Sequence, residues 1–119
     1  MAERRTKVAI LGYTAHLAQA PFQDDAWELW GLNDLYDRFA ELAGGPDIFA
    51  TGRVRWFQLH QRAMGTAQPF ATGARDPEHV AWLRQAPCPV YMWEASPEFP
   101  TSRAYPLREI LEQWADAPY

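Results

Sequence analysis

Four short apolar runs, each ending in polar residues, alternate along this sequence with segments of helical period. Lys7-Val8-Ala9-Ile10-Leu11-Gly12 has the continuous apolar character of a strand buried on both faces, the kind found in parallel sheets. Trp27-Glu28-Leu29-Trp30-Gly31-Leu32, Val54-Arg55-Trp56-Phe57-Gln58-Leu59-His60 and Val90-Tyr91-Met92-Trp93 predict three more strands. Between them, Thr14 to Ala20 reads as a short helix closed by Pro21. Leu35, Phe39 and Leu42 recur at helical spacing until Gly44-Gly45-Pro46 stops that helix. Asp76-Pro77-Glu78 opens another helix with an N-cap carboxylate, a first-turn proline and an acid that suits the helix dipole. After Pro106, Leu107, Ile110, Leu111 and Trp114 line one face of a last, amphipathic helix. Residues 61 to 75 and Glu94 to Tyr105 read as loops.

Strands alternating with helices require crossover connections and a mainly parallel sheet. The fold class expected is therefore α/β, a Rossmann-like three-layer sandwich with a short sheet of about four strands. Right-handed connections would place the first strand centrally, the second and third on one side and the fourth on the other. The 119 residues suit a single domain, 1–119. A further strand–helix segment beyond Tyr119 would complete a larger Rossmann core.

Composition narrows the function. A net charge of −4, with no basic stripe beyond the N-terminal lead-in, disfavours duplex nucleic acid as a partner, since counterion release needs a cationic footprint. The single Cys88 excludes an internal disulfide and suits a reducing cytoplasm. No apolar run has the length of a membrane span. Six Trp, five Tyr and six Phe supply large buried areas, and any surplus would form exposed patches fit for self-association or a protein partner.

Ligands of open parallel sheets bind beyond the carboxyl ends of the strands. The expected site therefore gathers Gly12-Tyr13-Thr14-Ala15-His16, Asn33-Asp34, His60 and Glu94. Gly12 either allows close approach of a phosphate to the following turn or simply turns the chain. Tyr13, Thr14 and His16 belong to the same turn, and His16 can contact phosphate. Asp34 either binds a ribose hydroxyl or, like Asn33, caps the next helix. His60 is the candidate general acid or base, its imidazole titrating near neutrality; the alternative is a structural hydrogen bond. Glu94 is an acid or hydroxyl-binding group, or a solvated loop residue. His79, in a helical first turn, reads as solvated, and Cys88 as packed. Neither G-x-G-x-x-G nor the Walker pattern occurs, and no serine sits in a G-x-S-x-G elbow. The scattered His and Cys residues predict no zinc site, and no cofactor follows from the residues.

Val8-Ala9-Ile10-Leu11-Gly12, Ala20-Pro21-Phe22 with Asp24-Asp25, Trp27 to Asn33, Arg55-Trp56-Phe57-Gln58-Leu59-His60, Pro89-Val90-Tyr91-Met92 and Tyr105-Pro106-Leu107 together resemble a group of small phage and prophage proteins with a Rossmann-like domain. The first turn departs from that group's frequent G-x-x-P-S. More distantly, the arrangement is similar to Rossmann-like domains of nucleotide-sugar transferases, including sialyltransferase-like and pterin-kinase-like relatives. The resemblance by itself fixes no reaction; together with the residues at the strand ends it gives one reading, a nucleotide or nucleotide-sugar binding domain, a transferase of nucleic-acid or surface modification with His60 as base. The other reading is a non-enzymatic phage accessory protein that binds a host protein or sequesters a signalling nucleotide. Either would act in the host cytoplasm.

Overall fold

A computed structural model describes residues 5–12, 14–58 and 77–114. The strands are β1 (Lys7–Ile10), β2 (Trp27–Leu32), β3 (Val54–Phe57), β4 (Val90–Met92) and β5 (Ser102–Ala104). The helices are α1 (Tyr36–Ala43), α2 (Pro77–Gln85) and α3 (Leu107–Trp114), with 3-10 turns at Leu17–Gln19, Asn33–Leu35 and Pro46–Ala50. All five strands are parallel, so the fold is α/β with a parallel sheet and is consistent with a Rossmann-like arrangement of layers. The sheet has five strands rather than about four: β5 lies within the segment expected to be loop.

The strand order corrects the expectation more deeply. The sheet runs β1-β2-β3-β4-β5 in sequence order, so β1 is an edge strand and β4 lies beside β3. Right-handed crossovers that always advance in one direction set every connection on the same face of a sheet. The packing agrees. Phe22 of the first connection meets Phe39 of α1 edge-on at 5.2 Å, and Phe39 stacks on Phe49 at 5.4 Å. Trp56 of β3 touches Phe39 at 5.3 Å and Trp82 of α2 at 4.9 Å. Phe99 of the last connection belongs to the same cluster, with Leu29, Val54, Val90 and Met92 as the sheet's contribution. α3 stands apart from this layer: Arg108 and Leu111 share a cavity with Trp93 and Tyr105, which follow β4 and β5 on the other face.

Trp56 organises the centre of the core. It is fully buried, and its indole N–H must find an acceptor there. The acceptor is the carbonyl of Asn33, at 2.8 Å. Asn33 sits at φ 48, a left-handed conformation that asparagine tolerates better than most residues. The ring lies directly over Gly31, where a Cβ would fall 2.1 Å from it. Glycine at 31 is thus set by tight packing. At the end of α1, Gly44 adopts φ 92 and Gly45 N–H returns to the Ala40 carbonyl at 2.8 Å, the left-handed helix stop the sequence predicts. The N-cap role expected of Asn33 or Asp34 is not realised, because both lie in the 3-10 turn and the cap position of α1 falls to Leu35, without a side-chain cap.

Arg53 fastens the first connection to the sheet. Its buried guanidinium donates to the carbonyls of Phe22 (2.8 Å), Pro21 (3.1 Å), Asp24 (2.7 Å) and Trp27 (3.2 Å). Burial, helped by nearby Arg5, pushes its pKa below the ordinary arginine value, against the pull of Asp25 and Asp24. The segment Thr14 to Ala20 forms only the three-residue turn Leu17–Gln19 and is held in place by the buried Leu17 and Phe22.

Candidate ligand site at the carboxyl edge of the sheet

Because every strand points the same way, all carboxyl ends lie along one edge. The structure places Gly12, Thr14 and His16 after β1, Asn33 and Asp34 after β2, and Glu94 after β4. Tyr13 and His60 lie outside the described residues. The strand order decides which of these meet. β1 and β2 are neighbours, so the first turn and Asn33-Asp34 share one stretch of edge. Glu94 follows a strand three places from β1, about 14 Å away at the usual strand spacing. A β4 next to β1 would have joined Glu94 to Gly12; the sequential order separates them. It also removes the reversal of strand order that forms the usual ligand crevice in such folds.

The first turn is internally bonded. Thr14 N–H donates to the Gly12 carbonyl at 3.0 Å, and His16 N–H to Thr14 Oγ1 at 3.2 Å. Leu17 N–H reaches the Thr14 carbonyl at 3.2 Å and Gln19 N–H the His16 carbonyl at 2.9 Å. These donors are committed within the turn and do not form a ready phosphate cradle. A Cβ at Gly12 would meet nothing within 4 Å, which leaves open space above it.

Beside this turn lies a cavity of about 310 Å³ lined by Thr14, Ala15, Leu17, Ala18 and Arg38. Arg38, on α1, brings the cation that the turn lacks. Its Nη1 pairs with Glu41 Oε1 at 3.0 Å across one helical turn, with both side chains more than half exposed. Such a pair contributes a few tenths of a kcal/mol and yields readily to an anionic ligand. Sequence reasoning missed Arg38. The available signal was its position one turn beyond Asp34, at the start of the helix that follows β2.

The second face of the sheet carries another polar group that was not anticipated. Glu28, 1% exposed, accepts hydrogen bonds from Arg55 Nε and from Trp30 Nε1, each at 2.8 Å. Arg55 Nη1 also donates to the Tyr91 hydroxyl at 2.6 Å. Aromatic rings surround this network: Phe57 lies 5.1 Å from Trp30, 5.1 Å from Tyr91 and 6.5 Å from Tyr105. The signal in the sequence was a charge at alternate positions of two strands, Glu28 and Arg55, which a sheet covered on both faces would not carry lightly.

His79 is buried, stacked on Tyr36 at 5.3 Å, not solvated as its place in the helix suggests. Cys88 is packed as expected, and burial pushes its thiol up to about 12, so it holds its proton. Among the described residues no three metal-ligating side chains come together, and no helix is long and apolar enough to cross a membrane.

Comparison with known proteins yields no match: no family model fits the sequence, and no curated protein or solved structure is significantly similar.

Proposed function

We propose that this chain is a phage-type α/β domain that binds a phosphorylated small molecule, a nucleotide or nucleotide sugar, at the carboxyl edge of β1 and β2. The observation that carries the reading is the cavity between the first turn and α1, with Arg38 and Thr14 in its lining. Its volume falls at the lower end of the range for small-ligand sites. In this reading Arg38 exchanges Glu41 for a phosphate, with the charge-assisted geometry that suits a guanidinium. The Thr14 hydroxyl and His16 add hydrogen bonds, and Asp34 accepts from a sugar hydroxyl. If the domain is a transferase, His60 serves as its base and Glu94 acts from further along the edge.

A non-enzymatic variant, sequestering a signalling nucleotide, shares the same cavity. What supports it is that, among the described lining residues, Thr14 and Arg38 are groups suited to holding a phosphate. Thermal-shift titration with nucleoside mono-, di- and triphosphates and with sugar nucleotides tests both. A ligand at a hundred times its Kd stabilises by about 2.7 kcal/mol, a shift of several degrees. Arg38→Gln should abolish the shift while leaving the unliganded melting temperature within a degree. No response to any of these ligands at millimolar concentration, or an undiminished response in Arg38→Gln, overturns the reading. Turnover of a responding sugar nucleotide separates transferase from sequestering protein.

A further inference from the structure

The corner between β2 and α1 is made of two residues in conformations that neither element supplies. Asn33 stands at φ 48 and Asp34 at φ −90, ψ 15, so the chain leaves the strand through the left-handed region and then a sparsely allowed one. Such conformations persist where the surroundings over-determine them. α1 starts without a side-chain cap, so its first turn is not fixed by its own N-cap.

The core reaches this corner through Trp56. Gly31 has no Cβ, so the indole of Trp56 can cross β2 from its neighbour β3. The indole N–H meets the Asn33 carbonyl at 2.8 Å, and the ring meets Phe39 of α1 at 5.3 Å, edge to face at 83°. Asn33 and Phe39 bracket the segment that carries Asp34 and Arg38. One fully buried side chain therefore touches this segment at both ends. Leu35 and Tyr36 within it are buried as well, and Tyr36 stacks on Trp82 at 4.9 Å. Apolar burial is non-directional, however, whereas a hydrogen bond constrains angle as well as distance.

Resting on the reading of this edge as a phosphate site, we propose that Trp56 is its positioning residue: the indole N–H on the Asn33 carbonyl sets the direction in which the chain leaves β2, and so brings Arg38 to the cavity it shares with Thr14 and Ala15. Trp56 touches no ligand itself, being buried at 0% exposure, and acts through Asn33 and Phe39. The coupling is reciprocal: a ligand that holds Arg38 in place strengthens the bond between Trp56 and Asn33 by the same factor.

Calorimetric titration with ADP, GDP and UDP in turn tests the proposal. Trp56→Phe keeps a ring and removes the donor. The tightest of the three probes should bind it about fivefold more weakly than it binds the parent chain, with circular dichroism showing both folded. Phe99→Leu is a core change between β4 and β5, at the far side of the sheet from β1. It should lower the melting temperature and leave the Kd unchanged. Gly31→Ala displaces the same ring from the β2 side, should weaken binding likewise, and replaces Trp56→Phe if that variant does not fold. Without nucleotide, the Arg38 Nε–H signal in the NMR spectrum should shift in Trp56→Phe and stay in place in Phe99→Leu. An unchanged Kd in Trp56→Phe, an equal loss in Phe99→Leu, or an Arg38 signal that does not move overturns the positioning role and leaves the nucleotide site standing. A parent chain that binds none of the three probes at millimolar concentration overturns the site itself, and the role of Trp56 with it.

Discussion

Replacing Gly31 by alanine tests the account of the core most directly. The added Cβ would lie 2.1, 2.5 and 2.6 Å from three carbons of the Trp56 ring, where 3.5–4.0 Å is normal. The ring must therefore move by more than 1 Å. It is held by its hydrogen bond to Asn33 and hemmed in by Phe39 at 5.3 Å, Phe49 at 5.7 Å and Trp82 at 4.9 Å. Overpacking of this kind costs about 3 kcal/mol, at the upper end of the usual range, because the neighbours are also rings. Against it stands a gain of about 0.7 kcal/mol from the lower entropy of the unfolded chain, since Gly31 does not occupy the positive-φ region. The net loss is about 2 kcal/mol, or about 8 °C in melting temperature for a domain of this size. Urea unfolding followed by tryptophan fluorescence measures it. Trp56→Leu provides the complementary background: with the ring gone, Gly31→Ala should become neutral or slightly stabilising, a coupling of about 2 kcal/mol. A loss below 0.5 kcal/mol in the parent, or the same loss in both backgrounds, refutes the packing argument.

Two further outcomes follow from buried polar chemistry. Arg53→Lys keeps the charge but cannot reproduce four bonds to four separate carbonyls; it should cost about 2–3 kcal/mol by chemical denaturation and raise proteolytic cleavage between residues 14 and 26. The Cys88 thiol ionises near 9 when unfolded and near 12 when folded, so between these values the unfolded chain binds fewer protons. Its contribution therefore makes stability fall as pH rises from about 9 toward 12. Cys88→Ala should flatten that alkaline decline, and in the parent protein at pH 8 a thiol reagent should react only as fast as the chain opens.

Local structure was legible where the chain obeys one period. β2 and α3 occupy the residues their patterns predict, and the glycine stop after α1 falls at Gly44. β5 was not legible, because Ser102-Arg103-Ala104 is a three-residue edge strand, exposed at Arg103 and Ala104, and has no apolar run to show. Strand order was not legible either. The hand of a crossover is nearly fixed, but the face it packs on decides whether the next strand lies left or right, and that is a matter of distant contacts such as Phe22 on Phe39. The site inherits both properties. Gly12, Thr14, Asn33 and Asp34 follow β1 and β2, strands that their apolar runs show, whereas the separation of Glu94 and the entry of Arg38 depend on order and helix placement. Arg53, preceding its strand by one residue, gave no local sign that it would reach back to Pro21, Phe22, Asp24 and Trp27.

The sequential sheet also bears on how the chain folds. Each strand pairs with the strands next to it in sequence, so no pairing has to wait for a third strand to be inserted between its partners. Loop closure costs grow slowly with length, and here each closure spans one connection only. The sheet can then extend from one edge to the other, each strand templating the next, as repeats do in a solenoid. Folding of this kind is faster than a Rossmann order of equal size would allow, where the central strand must gather partners from both halves of the chain.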